Sequence, residues 1–184
     1  MNQPYHSNSW LLYLFLVLPF GCSVLAAGSY QAERLPGGGC KIYDEHHVLR
    51  ATGQASGSIP VGIWKYYEST GLRLVEIRYQ RGIKDGPFQT WYGSFANPSA
   101  AGKLQLTGQF RNNQMDGLIK AYDSEGQPLL NRQYVSGKIV HAQTFFGKTP
   151  GKDTLPAFAL GQKVDQSDQA FFRQIERVVF DALK

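Results

Sequence analysis

Hydrophobic and polar residues alternate along the middle of the chain. In the segment 72–79, Val75, Ile77 and Tyr79 alternate with charged residues, which is the period-two pattern of a strand with one buried face. A second segment, 88–92, is short and dense in aromatic residues, and a glycine-containing turn separates it from the first. Two such segments around a turn predict a β-hairpin.

The hairpin pattern recurs along the chain. Four equivalent positions, one in each unit, are separated by 24, 31 and 24 residues: Ala55, Tyr79, Phe110 and Tyr134. The longer interval contains the segment 93–103, whose small residues are typical of a loop insertion. The segment 81–86 is predicted to supply the turn of its hairpin. Its last pair, Asp85-Gly86, recurs as Asp116-Gly117 and is expected to supply the positive φ that a tight turn needs.

An isolated hairpin is only marginally stable in water, so the units are expected to pair edge to edge. The predicted fold is therefore mainly β. It is a tandem antiparallel β-hairpin repeat sheet over residues 49–148, followed by a C-terminal amphipathic α-helix.

The C-terminal part of the chain changes its period. Residues 149–163 contain two prolines and two glycines and predict a linker, and residues 164–184 predict an amphipathic helix. Asp165 or Ser167 is expected to cap it, with Asp168 in its first turn. Its apolar side is predicted to hold Phe171, Phe172, Ile175, Val178, Val179, Ala182 and Leu183, and its polar side Arg173, Glu176, Arg177 and Asp181. The helix is expected either to cover one face of the sheet or to dock on a partner or a membrane surface.

The N-terminal part predicts export. Residues 10–28 carry no charged side chain, and residues 1–27 have the layout of a signal peptide or a membrane anchor. Three alternatives stay open: cleavage near Ala26 or Ala27, an uncleaved anchor, and lipidation at Cys22. Each places the remaining chain outside the cytoplasm, in the periplasm or cell envelope, anchored to a membrane or secreted.

Residues 28–48 are predicted to be an N-terminal linker or cap, with a flexible joint at 35–39. Cys40 and the polar segment 44–47 contain the residue types that bind metals, but their spacing fits no closed zinc site. No metal or other cofactor is therefore expected. If Cys22 is removed or acylated, Cys40 has no partner for an internal disulfide.

The formal net charge of +5 is dispersed, with no basic run or nucleic-acid-binding motif. Nucleic acid is therefore not expected as a partner. The chain also lacks a Ser/His/Asp set, a phosphate-binding loop and a carboxylate pair at a suggestive spacing. An enzymatic function is not expected.

One unit of the repeat resembles a known family. Gly62, Trp64, Tyr67, Gly71 and Leu72 look like the MORN repeat in its bacterial variant form, and two later units match as well. The matching residues of those units are Gly86, Phe88, Trp91, Gly117, Ile119, Tyr122 and Gly126. The resemblance implies a non-catalytic hairpin scaffold whose partners are usually proteins and sometimes membranes. Some bacterial members resemble the YwqK-like antitoxin or immunity group.

The second strands carry more aromatic residues than one buried face can use. Trp64, Tyr66, Phe88 and Tyr92 are therefore predicted to form an exposed docking face, bordered by Asn97 in the inserted loop. The leading hypothesis is an exported protein-binding module, in its sharpest form an immunity protein that sequesters a secreted toxin. The alternative is a cell-envelope scaffold that binds lipid, glycan or an envelope assembly partner, with membrane association through the N-terminus.

Overall fold

The computed structural model describes residues 29–95, 97–145 and 157–184. Within them the chain forms one antiparallel sheet of eleven strands and one long helix, which confirms the predicted fold class. The strands are β1 (Gln31–Arg34), β2 (Gly39–Tyr43), β3 (Leu49–Ser56), β4 (Ile59–Tyr67), β5 (Arg73–Gln80), β6 (Ile83–Trp91), β7 (Leu104–Arg111), β8 (Gln114–Met115), β9 (Gly117–Tyr122), β10 (Pro128–Val135) and β11 (Lys138–Thr144), and the helix is α1 (Ala157–Ala182).

Strand order in the sheet follows chain order, except that short β8 and then β9 both pair with β7. The inserted segment 93–103 lies between β6 and β7 and contains a short 3₁₀ helix, Pro98–Ala100. The insertion therefore leaves the order of the strands unchanged. A long sheet of this kind is built almost entirely from hairpins between consecutive strands.

The hairpin turns recur at the predicted spacing, but the Asp-Gly pair does not form them. The turn between β5 and β6 consists of Arg81 and Gly82, whose φ angles are 53° and 80°. Gly86 instead lies inside β6 with φ of 115°, where three residues of β6 face Arg78 alone. A Cβ at Gly86 would lie 2.7 Å from Cδ of Arg78. The glycine therefore accommodates a β-bulge, and the prediction of a turn at Asp85-Gly86 is wrong.

The repeat begins earlier than predicted. Gly38 and Gly62 are one period of 24 residues apart, and both have a positive φ. The turn Asp44–His47 has the same backbone hydrogen bonds as the turn Glu68–Gly71 one period later. The segment 35–39 is a tight connection between β1 and β2, so the predicted flexible joint is wrong. The degenerate sequence of this first unit concealed it.

Helix α1 packs against one face of the sheet, which we call the inner face; the opposite face is the outer face. The rings of Phe88, Phe110 and Phe172 meet at centroid distances between 4.7 and 5.1 Å. Five helix side chains and Leu183, which directly follows the helix, are buried in the resulting core; the five are Phe171, Phe172, Ile175, Val178 and Val179. The expectation that the helix covers one face of the sheet is confirmed.

The helix begins at Ala157, seven residues before the predicted start, so the second half of the predicted linker is helical. Its first part lies very close to the sheet, because a Cβ at Gly161 would be 2.8 Å from the Cβ of Ala142. Asp165 and Asp168 consequently lie inside the helix and face the sheet, so their predicted roles at its N-terminus are wrong.

Two inward-facing glycines allow large side chains to lie against the sheet backbone. A Cβ at Gly53 would lie 2.2 Å from the indole ring of Trp64, and a Cβ at Gly108 would lie 2.2 Å from Cδ1 of Ile119. Both contacts are far shorter than van der Waals distance, and the crowded atoms belong to fully buried side chains. The absence of a side chain at these glycines is thus part of the packing of the core.

Gly108→Ala is expected to lower the free energy of unfolding by about 1–3 kcal/mol, because the added methyl group overpacks the core. Gly126→Ala is the comparison. A Cβ there would meet open space, so any loss of stability reflects only the strain of an alanine at a positive φ. Chemical denaturation of both variants measures the difference. Equal stability of Gly108→Ala and the wild type would contradict the close packing of Ile119 against β7.

Candidate functional site

Three polar contacts join the inner face to the helix. Lys84 Nζ lies 2.9 Å from Glu176 Oε1, Arg132 Nη2 donates to Asp168 Oδ2 at 2.6 Å, and the Tyr134 hydroxyl donates to Asp165. The predicted placement of Glu176 on the polar side of the helix is therefore wrong. Both basic residues stand where other units of the repeat have an apolar residue or a glycine. The positions equivalent to Lys84 hold Pro60, Met115 and Ile139. The positions equivalent to Arg132 hold Gly53, Ile77 and Gly108.

Burial dominates the electrostatics of these contacts. It raises the pKa of the Asp168 carboxyl, although the Arg132 guanidinium acts in the opposite direction. It would lower the pKa of Arg132, but Asp168 and Tyr134 raise that pKa above its ordinary value. Nε and Nη1 of Arg132 are buried without a partner among the described residues. This charged pair therefore fixes the position of the helix, at a cost in desolvation.

The residues predicted to form a docking face are buried. Trp64, Tyr66 and Phe88 lie in the core between the sheet and the helix, so that prediction is wrong. Trp64 Nε1 donates to the Gln54 carbonyl oxygen at 2.9 Å, and the hydroxyls of Tyr66 and Tyr79 are 2.9 Å apart. Burial raises the pKa of both tyrosines.

Tyr92 is also buried, and its hydroxyl donates to the Tyr122 carbonyl oxygen at 2.8 Å. Burial, with Asp123 and Glu125 nearby, raises the pKa of Tyr92 to about 12. Tyr92 thus fastens the inserted loop to β9 and is unavailable to a partner. Asn97 is partly exposed in that loop, where its Oδ1 accepts a hydrogen bond from Ser99. Cys22 lies outside the described residues.

The sequence contains a signal that identifies the solvent side. Lys65 alternates with Trp64 and Tyr66, and Gln89 alternates with Phe88 and Thr90. A strand that places a lysine or a glutamine between two aromatic or apolar residues exposes the polar position, because burying an unpaired ammonium group is costly. The parity that contains Lys65 and Gln89 is therefore the outer face.

A continuous row of polar side chains crosses the outer face, one from each of ten strands. Neighbouring members face each other directly across each strand pair. We call this set the polar row; in sheet order it comprises Glu33, Lys41, Thr52, Lys65, Glu76, Gln89, Thr107, Lys120, Asn131 and Gln143. All its members are exposed or partly exposed. Sequence reasoning missed this row, because the pairing between strands was required to find it.

A second row lies beside the polar row, toward the end of the strands that carries the inserted loop. It contains one aromatic residue per repeat, and we call it the aromatic row: Tyr43, Tyr67, Trp91 and Tyr122. Its members are partly exposed. The guanidinium carbon of Arg73 lies 4.0 Å from the centroid of the Trp91 ring, and Arg73 also pairs with Glu76 at 2.9 Å. These contacts hold the Trp91 ring in place.

An open groove of about 590 Å³ extends from the polar row toward the opposite end of the strands, and Glu76, Gln89 and Thr107 of the row are part of its lining. Its lining includes Ile63, Arg78, Pro87, Gln109 and Leu118. Ile63 and Leu118 are 46% and 45% exposed, which is unusual for large apolar residues. The outer face therefore combines a polar centre with apolar borders on both sides.

The polar row contains three lysines and two glutamates, and Glu33 and Glu76 face Lys41 and Lys65 across their strand pairs. Lys41, Lys65 and Lys120 form no ion pair within the described part of the chain. Glu76, by contrast, is neutralised by Arg73. The centre of the outer face consequently has an excess of positive charge that is free to meet an anionic ligand.

Among residues 29–95, 97–145 and 157–184, no group of three His, Cys, Asp or Glu side chains could hold a metal ion. No helix in these residues combines the length and the apolar character needed to span a bilayer. The arrangement on the outer face offers hydrogen bonds, charge and ring surface to a ligand.

No family model and no curated protein matches the chain. Two solved structures are similar to part of it: a mutant of S. aureus TarM in complex with Fondaparinux, alpha-GlcNAc-glycerol and UDP, and TarM itself. Their identities are 14% and 13%, and their TM-scores are 0.29 and 0.25. Each comparison covers 74% of this chain and 22% of the other, so the chain spans about a fifth of the length of those proteins. Likenesses this low carry no argument, and the MORN resemblance stays a prediction.

Proposed function

We propose that the chain is a non-catalytic binding module that acts outside the cytoplasm and holds a large ligand on the outer face of its sheet. The observation that carries this proposal is the ordered outer face itself. The helix covers the inner face, whereas the outer face exposes a polar row across ten strands with an aromatic row beside it. A polar surface that crosses ten strands suits a polymer or a macromolecular surface better than a small molecule, which is usually enclosed in a compact pocket.

The burial of Trp64, Tyr66 and Phe88 removes the docking face expected for a protein partner, so the toxin-binding hypothesis now depends on the family resemblance alone. The unpaired lysines and the amide and hydroxyl groups of the polar row instead favour the alternative, a module for a component of the cell envelope. A protein partner retains one supporting observation. Tyr and Trp side chains such as those of the aromatic row often anchor protein interfaces.

Photo-crosslinking tests this proposal. A photoreactive amino acid is placed at Gln89, in the centre of the polar row, and in a second variant at Arg173, on the exposed side of the helix. Both positions are exposed, so the fold is expected to be unchanged. After irradiation of cells that produce the protein, we expect adducts at position 89 and few at position 173. Equal labelling at both positions, or no labelling at position 89, would overturn the proposal.

A further inference from the structure

We propose that the polar row binds an extended acidic polysaccharide, which lies across the strands with its sugar rings following the row. This inference rests on the proposed function, since it names the ligand of the same face. Its basis is the match between the spacing, charge and hydrogen-bonding groups of the row and those of such a polymer.

The distance between neighbouring side chains of the row matches a polysaccharide better than a polypeptide. Neighbouring strands lie about 4.8 Å apart, so the row presents one polar side chain at that interval along a line perpendicular to the strands. A sugar ring in an extended, equatorially linked chain advances the polymer by slightly more than one strand spacing. An extended polypeptide advances only about 3.3 Å per residue and falls out of step with the row within a few strands.

Because the row lies near the twist axis of the sheet, its spacing matches that of the polymer over several strands. A β-sheet twists by about 20–25° between neighbouring strands, around an axis that passes through the strand centres. Thr52, Glu76 and Thr107 lie in the middle of β3, β5 and β7, close to that axis. A row on the axis stays nearly straight, whereas rows nearer the strand ends, such as the aromatic row, turn around it.

The charge of the row selects an acidic polymer. The same position of four successive repeats is occupied by Lys41, Lys65, Gln89 and Lys120, so three of the four carry a lysine. Each repeat adds two strands to this part of the path, so the positions of this series are about 9.6 Å apart, which is two strand spacings. A polysaccharide with one carboxylate per disaccharide carries negative charges at close to that interval. Lys41 and Lys65 lie opposite Glu33 and Glu76 but form no ion pair with them within the described residues, and Lys120 lies between Thr107 and Asn131.

The uncharged members of the row complete the match. The row also presents hydrogen-bond donors and acceptors to solvent from the side chains of Gln89, Thr107 and Asn131. Sugar hydroxyls both donate and accept hydrogen bonds, so they can pair with these groups. The adjacent ring of Tyr67, which is partly exposed, supplies apolar surface for the C–H groups of a sugar ring. Polar contacts at the centre and apolar contacts at the border are what an amphipathic sugar chain requires.

Titration of the full chain with three probes tests the inference: hyaluronan oligosaccharides, neutral dextran and poly-glutamate. Hyaluronan carries one carboxylate per disaccharide in an extended chain, and poly-glutamate carries more charge at a polypeptide spacing. We expect hyaluronan to bind, with an affinity that falls as salt increases, and the other two probes to bind at least about tenfold more weakly. Equal binding of poly-glutamate would show attraction by charge alone and would overturn the inference.

A pair of matched variants locates the site. Lys65→Gln combined with Lys120→Gln is expected to weaken hyaluronan binding by about tenfold or more, since two charge-assisted contacts are lost. Arg173→Gln combined with Arg177→Gln removes the same charge from the exposed side of the helix and is expected to leave affinity unchanged. All four side chains are exposed, so circular dichroism and the unfolding temperature are expected to match the wild type.

Equal loss of affinity in the two double variants, or no binding of hyaluronan by the wild type, would overturn the polysaccharide assignment. The crosslinking experiment separates that failure from failure of the proposed function. Adducts at position 89 that contain protein or lipid would overturn the polysaccharide and leave the binding module standing. The absence of adducts at that position would overturn both.

Discussion

Asp168→Ala is expected to lower the free energy of unfolding by about 3–5 kcal/mol, because it leaves the Arg132 guanidinium buried without its partner. Arg132 is fully buried, and Asp168 provides its charged contact at 2.6 Å. Two other nitrogens of the same guanidinium already lack hydrogen-bond partners among the described residues, so no second hydrogen bond compensates for the loss. Denaturant unfolding, followed by circular dichroism, measures the loss.

Asp181→Ala is the matched control for this experiment. Asp181 lies on the same helix and pairs with Lys184 at 2.8 Å, but both side chains are exposed. Its removal is expected to change stability by less than about 0.5 kcal/mol. The double variant Arg132→Met, Asp168→Leu is expected to recover most of the stability, since it replaces a buried ion pair by apolar side chains. A single Asp168→Ala variant as stable as the control would contradict the assigned contact.

Phe172→Ala is expected to cost about 3–5 kcal/mol as well, because it opens a cavity at the centre of the core. The Phe172 ring meets the rings of Phe88 and Phe110 at centroid distances of 4.9 and 5.1 Å, so its loss weakens the packing of the helix on the sheet. Limited proteolysis is expected to release the C-terminal helix from this variant before the sheet is cut, since the hairpins retain their backbone hydrogen bonds.

Phe95→Ala provides the comparison, because Phe95 is 63% exposed in the inserted loop. It is expected to change the free energy of unfolding by less than about 0.5 kcal/mol. If Phe172→Ala unfolded at the same denaturant concentration as Phe95→Ala, the helix would contribute nothing to the core, and its role would revert to docking on a partner.

Local features of the chain were predictable because they depend on neighbouring residues. The alternation of Val75, Ile77 and Tyr79 with charged residues follows from the two-residue period of a strand, and the amphipathic helix follows from its own period. The repeat spacing also placed the inserted loop correctly between two strands. The first unit escaped notice because Cys40 stands where the next unit has Trp64.

Features that join distant residues were not predictable in the same way. Lys84 and Arg132 read as ordinary polar positions, yet each is buried against an acidic residue of the helix, in the second case 36 residues away. Such pairs obey no sequence period, because their distance depends on how the helix lies on the sheet.

The sequence by itself determined that this protein is an array of short antiparallel hairpins with a helix after it, since strand and helix periods and turn residues act locally. Lys65 and Gln89 already indicated the solvent side of their own strands, but only the tertiary structure decided what covers the opposite side. The helix covers the side that holds Trp64, Tyr66 and Phe88, and this leaves Lys65 and Gln89 toward solvent. Strand pairing then aligns the polar side chains of ten strands into one row, because register is set between strands and not within them.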